Sequence, residues 1–597
     1  MWLACFIISV ALILCPILFR IFRKKKREKL PAIKPLTLTM IFIALAGFVM
    51  FLPIYKDFFN ETEVGALKVF KVIILSLHNT IRLFVVDSDF EGIKNAVSEL
   101  SPFLKEAYPV LSAVLFITSP VLTFSFALSF FKNTMSYIRY FFSRNKDAYV
   151  FSELNDYAVT LATDIAKNHK KAIIIFTDVY SKEDEVDFEL LERAELINAI
   201  CFKKDITLIN FTKHNKKNKL TFFILNKTEE ENSKSLIELN KTYGDRENTE
   251  LLIFSKDTIS DLLISSFPTS KMKIRRINYA QSLIFRTLYD NGYEMIFEYA
   301  DKHGKVEDGK KVISAVVVGL GKYGSFMAKT LAWYGQMDGY KIKINAFDND
   351  KNAECLFKSE CPELMGDEYN GVHVDGEAEY SIQIHSDMNY KSCKFDEKIE
   401  EIKDATFVLV SLGSDTANIE CATKLRTLFE RCGANPLITT IVYDSDQRNS
   451  LTKATNFKRQ EYNLNFIGGT ETTYSEAVII DSELEAEALE RHLKYGNEED
   501  FWKYEYNYCS STASALHMQA RIKCGIKGAD KKEEDLTIEE RDAIEVLEHK
   551  RWNAYMRSIG YISAEVRNDL GKQHHNLVRF AKLSDDDKRK DSKVGTR

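Results

Sequence analysis

The sequence predicts an α-helical membrane segment followed by an α/β body that ends in a small, mostly α domain. Three observations carry this. Long apolar runs fill the first part of the chain. From Ala148 to Ile480, Val- and Ile-rich runs alternate with helical periodicity, the pattern of a parallel sheet covered by helices on both faces. One such run, Val312 to Val318, breaks into Gly319-Leu320-Gly321-Lys322-Tyr323-Gly324 and continues as a helix. The boundaries expected are 1–146 for the membrane segment, 147–310 and 311–494 for two α/β domains, and 495–597 for the last domain. A formal charge of −5 argues against general nucleic-acid binding. The 10 cysteines show no CxxC and no Cys/His spacing, so no metal site is expected. Most fall in segments expected to be cytosolic, where thiols stay free.

The membrane spans expected are Trp2 to Phe19, Pro35 to Ile54 and Tyr108 to Phe131. Charges follow the first run rather than precede it, which excludes a secretory signal. Leu12-Ile13-Leu14-Cys15 has too bulky a residue at Leu14 for a lipoprotein box. Arg23, Lys24, Lys25, Lys26, Arg27 and Lys29 place the first loop in the cytoplasm. The N-terminus is then outside an inner or plasma membrane, and everything after the third span is cytosolic. Leu67 to Val85 has Lys68, Lys71, His78, Asn79 and Arg82 on one face and Phe70, Ile73, Ile74, Leu77, Ile81 and Phe84 on the other. Two readings stand: a helix lying in the interface, or a helix lining a pore in an oligomer. No TVGYG-type filter occurs.

Both α/β units read as Rossmann-like. In the first, the turn Phe151-Ser152-Glu153-Leu154-Asn155-Asp156 lacks glycines, and Glu153 would repel a phosphate. Asp178 there reads as a strand-end residue. In the second, Gly319 permits the tight turn, Gly321 lets backbone approach a pyrophosphate, and Gly324 lets helix and strand pack closely. Lys322 and Tyr323 sit at the new helix's N-terminus, which favours anions. Asp348 and Asp350 end the next strand, where a ribose-binding carboxylate belongs. Gly413 and Ser414 follow a later strand and face the same crevice; they read equally as a turn and helix cap. The ligand expected is a nucleotide, NAD or a nucleotide second messenger.

Gly319, Gly321, Gly324, Asp348 and the strand–helix alternation resemble the TrkA-N, or RCK, regulators of potassium transport. That resemblance implies nucleotide or ion binding, assembly into dimers and rings, and coupling of a ligand to a membrane gate. Glu548, His549, Lys550, Arg551 and Trp552, then Gly560, Tyr561, His574, His575, Leu577 and Phe580, resemble the ryanodine-receptor repeat (RyR) domain, with Tyr561 in place of the usual tryptophan. Ser510, Ser511, Ala513, Ala515 and His517 fit the upstream helix of bacterial relatives.

From the residues themselves, Arg551 beside Trp552 suits a phosphate and a stacked base, with Glu548, His517, His549 and His574 nearby. Equally, Trp552 reads as core and Glu548–Arg551 as a structural ion pair. The tail from Asp585 to Arg597 reads as a solvated end.

No nucleophile or paired carboxylate points to an enzyme. The function expected is a membrane-anchored nucleotide sensor or ligand-gated homo-oligomeric channel; the RyR resemblance implies antiphage defence. The alternatives are a TrkA-N-like subunit sensing NAD or ATP for potassium transport, and a membrane-anchored NAD-dependent oxidoreductase.

Overall fold

The structure is a computed structural model. It describes the chain except for residues 26–34, 60–64, 86, 88–89, 180–187, 227, 256–257, 269, 366–378, 454–455, 458–459, 481 and 597. The chain divides into two compact units, Met1–Phe142 and Ser143–Arg597.

The first unit is helical: α1 (Trp2–Lys25), α2 (Pro35–Phe58), α3 (Ala66–Phe84), α4 (Phe90–Ala96) and α5 (Pro102–Ser143). Two stretches are long and apolar enough to cross a membrane, Leu38–Phe58 and Pro102–Phe126. In α1 the apolar stretch is shorter, Trp2–Pro16. The basic run from Arg20 to Lys29 lies outside the residues whose side chains are described. Helices α1 and α2 lie antiparallel: Trp2 Nε1 donates to Asp57 Oδ2 at 2.7 Å and Ser9 Oγ to the Ala46 carbonyl at 3.0 Å. The amphipathic segment forms α3. Val72, Ser76, Asn79, Thr80 and Leu83 are buried, while Phe70, Ile73, Ile74, Leu77 and Ile81 are exposed. Part of the polar stripe packs on α2, and the apolar stripe faces outward.

The second unit holds two parallel sheets. The first contains β1 (Ala148–Phe151), β2 (Ile173–Phe176), β3 (Ile200–Cys201), β4 (Leu220–Ile224), β5 (Thr249–Phe254) and β6 (Lys273–Ile277), in the order β3-β2-β1-β4-β5-β6. Helices α6 (Asp156–Asn168), α7 (Phe188–Leu196), α8 (Glu229–Tyr243) and α9 (Thr258–Ser266) connect them. Strands β1, β2, β4 and β5 are buried along their whole length, which explains why they are mainly apolar. Strand β6 (KIRRI) carries cations and escapes a hydrophobicity reading. Its buried Arg275 is held by Glu250, Glu485 and the carbonyls of Ile479 and Ile480.

Helices α10 (Tyr279–Gly292) and α11 (Tyr299–His303) lead to the second sheet. It contains β7 (Val306–Glu307), β8 (Lys310–Val318), β9 (Tyr340–Phe347), β10 (Tyr380–His385), β11 (Phe407–Val410) and β12 (Leu437–Ile441). A small pair follows, β13 (Asn456–Phe457) and β14 (Gln460–Glu461), and then β15 (Leu464–Ile467). The sheet order is β10-β9-β8-β11-β12-β15, all parallel, with β7 antiparallel on β8. Helices α12 (Lys322–Tyr334), α13 (Ala353–Glu360), α14 (Cys393–Glu401), α15 (Asp415–Arg431) and α16 (Ser445–Lys453) connect the strands. Each sheet starts at its centre, winds outward, then crosses to the other side. The order reverses between β1 and β4 and between β8 and β11, which is where crevices open at the strands' carboxyl ends.

The rest of the chain is α17 (Thr470–Thr473), α18 (Glu476–Ile479), α19 (Glu483–His492), α20 (Glu498–Lys503), α21 (Glu505–Lys523), α22 (Ile538–Ser558), the pair β16 (Ile562–Ser563) and β17 (Gln573–His574), and α23 (Asp585–Gly595). Helix α22 begins with a capping box, Thr537 and Glu540. It packs on α12, with Tyr555 edge-on to Trp333 at 6.1 Å, so one hydrophobic core runs from the second sheet into the C-terminal helices. Arg557 and Glu363, both buried, add an ion pair between them. The tail corrects the sequence reading: α23 packs against α22, and Ser592 and Thr596 are buried. A run of alternating charges hid an amphipathic helix there.

Candidate functional site

The glycine turn forms where expected, after β8. Gly319 has φ 89°, and its N–H donates to the Phe347 carbonyl at 2.8 Å. A Cβ on Gly324 would lie 1.8 Å from the Gly319 carbonyl oxygen, so only glycine lets α12 approach the strand this closely. A Cβ on Gly321 would meet nothing within 4 Å. Gly321 therefore borders open space, and it caps α12 without a side-chain hydrogen bond. Lys322 is exposed, its Nζ 5.5 Å from the Tyr279 ring centroid. Tyr323 packs against Tyr443 at 6.0 Å. Asp348 reaches the turn itself: Oδ2 accepts from Leu320 N–H at 2.6 Å and Oδ1 from Asp350 N–H at 2.7 Å. Asp350 is exposed and accepts from Asn352 N–H at 2.8 Å. Gly413 has φ 87°, and Ser414 caps α15 through Ala417 N–H. Asp348 and Ser414 thus have structural work in the turn and the cap.

The carboxyl ends of the two sheets share a cleft of about 1000 Å³. Its lining is acidic, and none of Gly319, Gly321, Lys322, Gly324, Asp348, Asp350, Gly413 or Ser414 belongs to it. Asp156, Glu189, Glu229, Asp415, Asp444, Asp446 and Glu471 line it, and its one lysine or arginine, Arg193, pairs with Asp156 at 2.7 Å. Like charges would repel a phosphate here. Among the described residues no cluster of carboxylates, histidines or cysteines is spaced to hold a metal ion.

A second cavity, about 570 Å³, lies in the C-terminal helices. Arg551, Glu548, Trp552 and His574 line it together with His549, Tyr495, Tyr506, Arg567, Lys494 and Lys590. Helix α22 places Glu548, Arg551 and Trp552 within one turn. Arg551 is 1 % exposed. Its Nη2 donates to Glu548 Oε1 at 2.6 Å and its Nε to both carboxylate oxygens, but Nη1 is buried with no hydrogen-bond partner. A buried donor left unmade costs about 1–3 kcal/mol. Glu548 also binds Arg521, whose Nη1 donates to the Gly595 carbonyl at 3.2 Å. Arg491, equally buried, donates to the Thr596 carbonyl. Burial and its two neighbouring guanidiniums bring the Arg491 pKa down to about 10. Burial weakens the acidity of Asp591, which sits 3.3 Å from His549 Nδ1. Two buried guanidiniums, Arg521 and Arg551, thus share the Glu548 carboxylate.

The aromatic side of the cavity is built from Trp552, its ring 5.0 Å from His574 and 6.0 Å from His549. Trp552 is half-buried and lines the cavity, so it combines the two roles read from the sequence. Burial, with Arg567 and His575 beside it, lowers the His574 pKa to about 4. Asn576 N–H donates to His574 Nδ1 at 3.1 Å, so the neutral ring carries its proton on Nε2. His517 is a correction. It lies behind the cavity, wholly buried, bonded through Nε2 to the Gln336 carbonyl at 2.9 Å and accepting from Arg521 Nε at 2.8 Å. It positions Arg521 and holds α21 to the end of α12. Sequence reading missed Arg491, Arg521, Tyr495 and Tyr506. The i, i+4 spacing of His517 and Arg521 was a signal for one of them.

Compared with protein-family models and with curated proteins, the chain matches none.

Proposed function

We propose that this protein is a membrane-attached, ligand-gated effector that senses a nucleotide in the C-terminal cavity. The observation that carries this is Arg551, which lines a cavity with Trp552, His549 and Tyr506 and whose Nη1 is buried without a hydrogen-bond partner. A guanidinium donor takes a phosphate oxygen, and the aromatic wall takes a base. The same sequence features make this region RyR-like, and the strand orders support reading both sheets as tandem Rossmann-like units of the RCK kind. Helices long and apolar enough to cross a membrane support a membrane output. Two such spans and a shorter apolar helix per chain cannot enclose a pore, so the active form is a homo-oligomer; antiphage defence is the setting the resemblance suggests.

A second reading has its own observation. Gly321 faces open space at the uncapped start of α12, which supports an NAD or ATP phosphate there, as in a TrkA-N-like regulator. Mass spectrometry of small molecules copurifying with the full chain tests both. A nucleotide lost in Arg551→Ala but kept in Gly321→Asp supports the first reading, and the reverse supports the second. A nucleotide kept in both variants rejects both sites.

A further inference from the structure

Helix α3 runs antiparallel to α2 in a fixed register. Lys71 Nζ lies 5.8 Å from the Phe59 ring centroid, Asn79 bonds the Tyr55 hydroxyl, and Leu83 and Thr80 lie 3.1 and 3.5 Å from where a Cβ on Gly47 would sit. Gly47 is near the middle of the apolar window Leu38–Phe58. The contacts therefore start at the end of that window and stop at its centre. A helix lying flat in the interface would cross α2 at one level and could not make all three.

We infer that α3 is a re-entrant half-membrane helix whose C-terminal turn faces water inside the membrane. The inference rests on the membrane-effector reading above. At the depth of Gly47 the chain leaves the helix at Val85, and Arg82 Nε and Nη2 each bind the Asp87 carboxylate at 2.8 Å. Their side chains are 33 % and 59 % exposed in the single chain. Irregular backbone and a half-exposed ion pair at mid-membrane depth are tolerated against protein or water, and not against hydrocarbon. The apolar stripe of Phe70, Ile73, Leu77 and Ile81 suits lipid, whereas His78 and Arg82 lie on the flank beside it. The water therefore lies on that flank.

Two measurements on the full-length chain in liposomes, with no nucleotide added, test this. Single cysteines replace exposed residues in a background lacking the native ones. A bimane on Ile81→Cys is expected to be quenched best by lipids carrying a nitroxide near the acyl-chain end, and one on Val69→Cys by lipids carrying it near the headgroup. Asp87→Cys is expected to react with a membrane-impermeant thiosulfonate, and Leu77→Cys to stay unmodified. Equal shallow quenching at positions 69 and 81, or an inert Asp87→Cys, overturns the inference. Neither readout involves nucleotide, so either failure is distinct from retention of ligand by the Arg551→Ala variant.

Discussion

The two cavities of the second unit have opposite electrostatics. The larger one, at the carboxyl ends of both sheets, is lined by seven carboxylates against one arginine already paired with one of them. The smaller one concentrates buried guanidiniums around Glu548 and leaves one of their N–H groups without a partner. Size and fold position alone would have chosen the first as the nucleotide site. Charge is what the proposed assignment to the second rests on. A crevice at a topological switch point is a place, and its lining decides what enters.

The strongest test of this contrast is stability. Glu548→Ala removes the carboxylate between Arg521 and Arg551 and is expected to cost about 3–5 kcal/mol in denaturant unfolding. In the acid-lined cleft, Asp446→Ala at an exposed position should stay within about 0.5 kcal/mol. Equal losses would mean that the guanidinium cluster is no more strained for charge than the cleft.

The glycine turn separates packing from ligand approach. Gly324→Ala places a methyl group against the Gly319 carbonyl and should cost about 1–3 kcal/mol or more. Gly321→Ala meets open space and should change the thermal midpoint little.

Acid should destabilise the fold through its buried histidines. His574 has its pKa lowered to about 4 from an ordinary value of 6.5, and burial lowers that of His517 well below its usual range. Between pH 6.5 and 4 the unfolded chain binds protons that the folded one refuses. Stability therefore falls as pH falls through that window and is unaffected by these groups above it. Replacing His574 with Gln should flatten the pH dependence of the unfolding midpoint. The smallest expected effect is on occupancy. Lys590→Glu at the rim of the cationic cavity should lower copurifying nucleotide a few-fold, and Asp444→Lys in the cleft should leave it unchanged.

Much of this architecture was legible in the chain. Buried parallel strands such as Ile173–Phe176 are continuous apolar runs, and the turn after Val318 needs its glycines for steric reasons visible in the spacing. Other elements were hidden for equally physical reasons. Strand β6 carries Lys273, Arg275 and Arg276, and β10 alternates because it lies at a sheet edge. The cationic cavity was half legible: Glu548, Arg551 and Trp552 share one turn of one helix. Arg521 comes from another helix, and only tertiary packing brings it to the same carboxylate. Helix α3 was legible as amphipathic, but which face would turn inward depended on Gly47 and Tyr55 in another helix.

Helix α12 starts at the glycine turn and ends against α21 and α22, where Trp333 meets Tyr555, Tyr334 meets His517, and His517 bonds the Gln336 carbonyl just beyond the helix. One helix thus has the open glycine turn at one end and the support of a guanidinium at the other. Any displacement of that helix is felt at both ends. By linkage, whatever factor occupancy of one end imposes on affinity at the other must be returned in full.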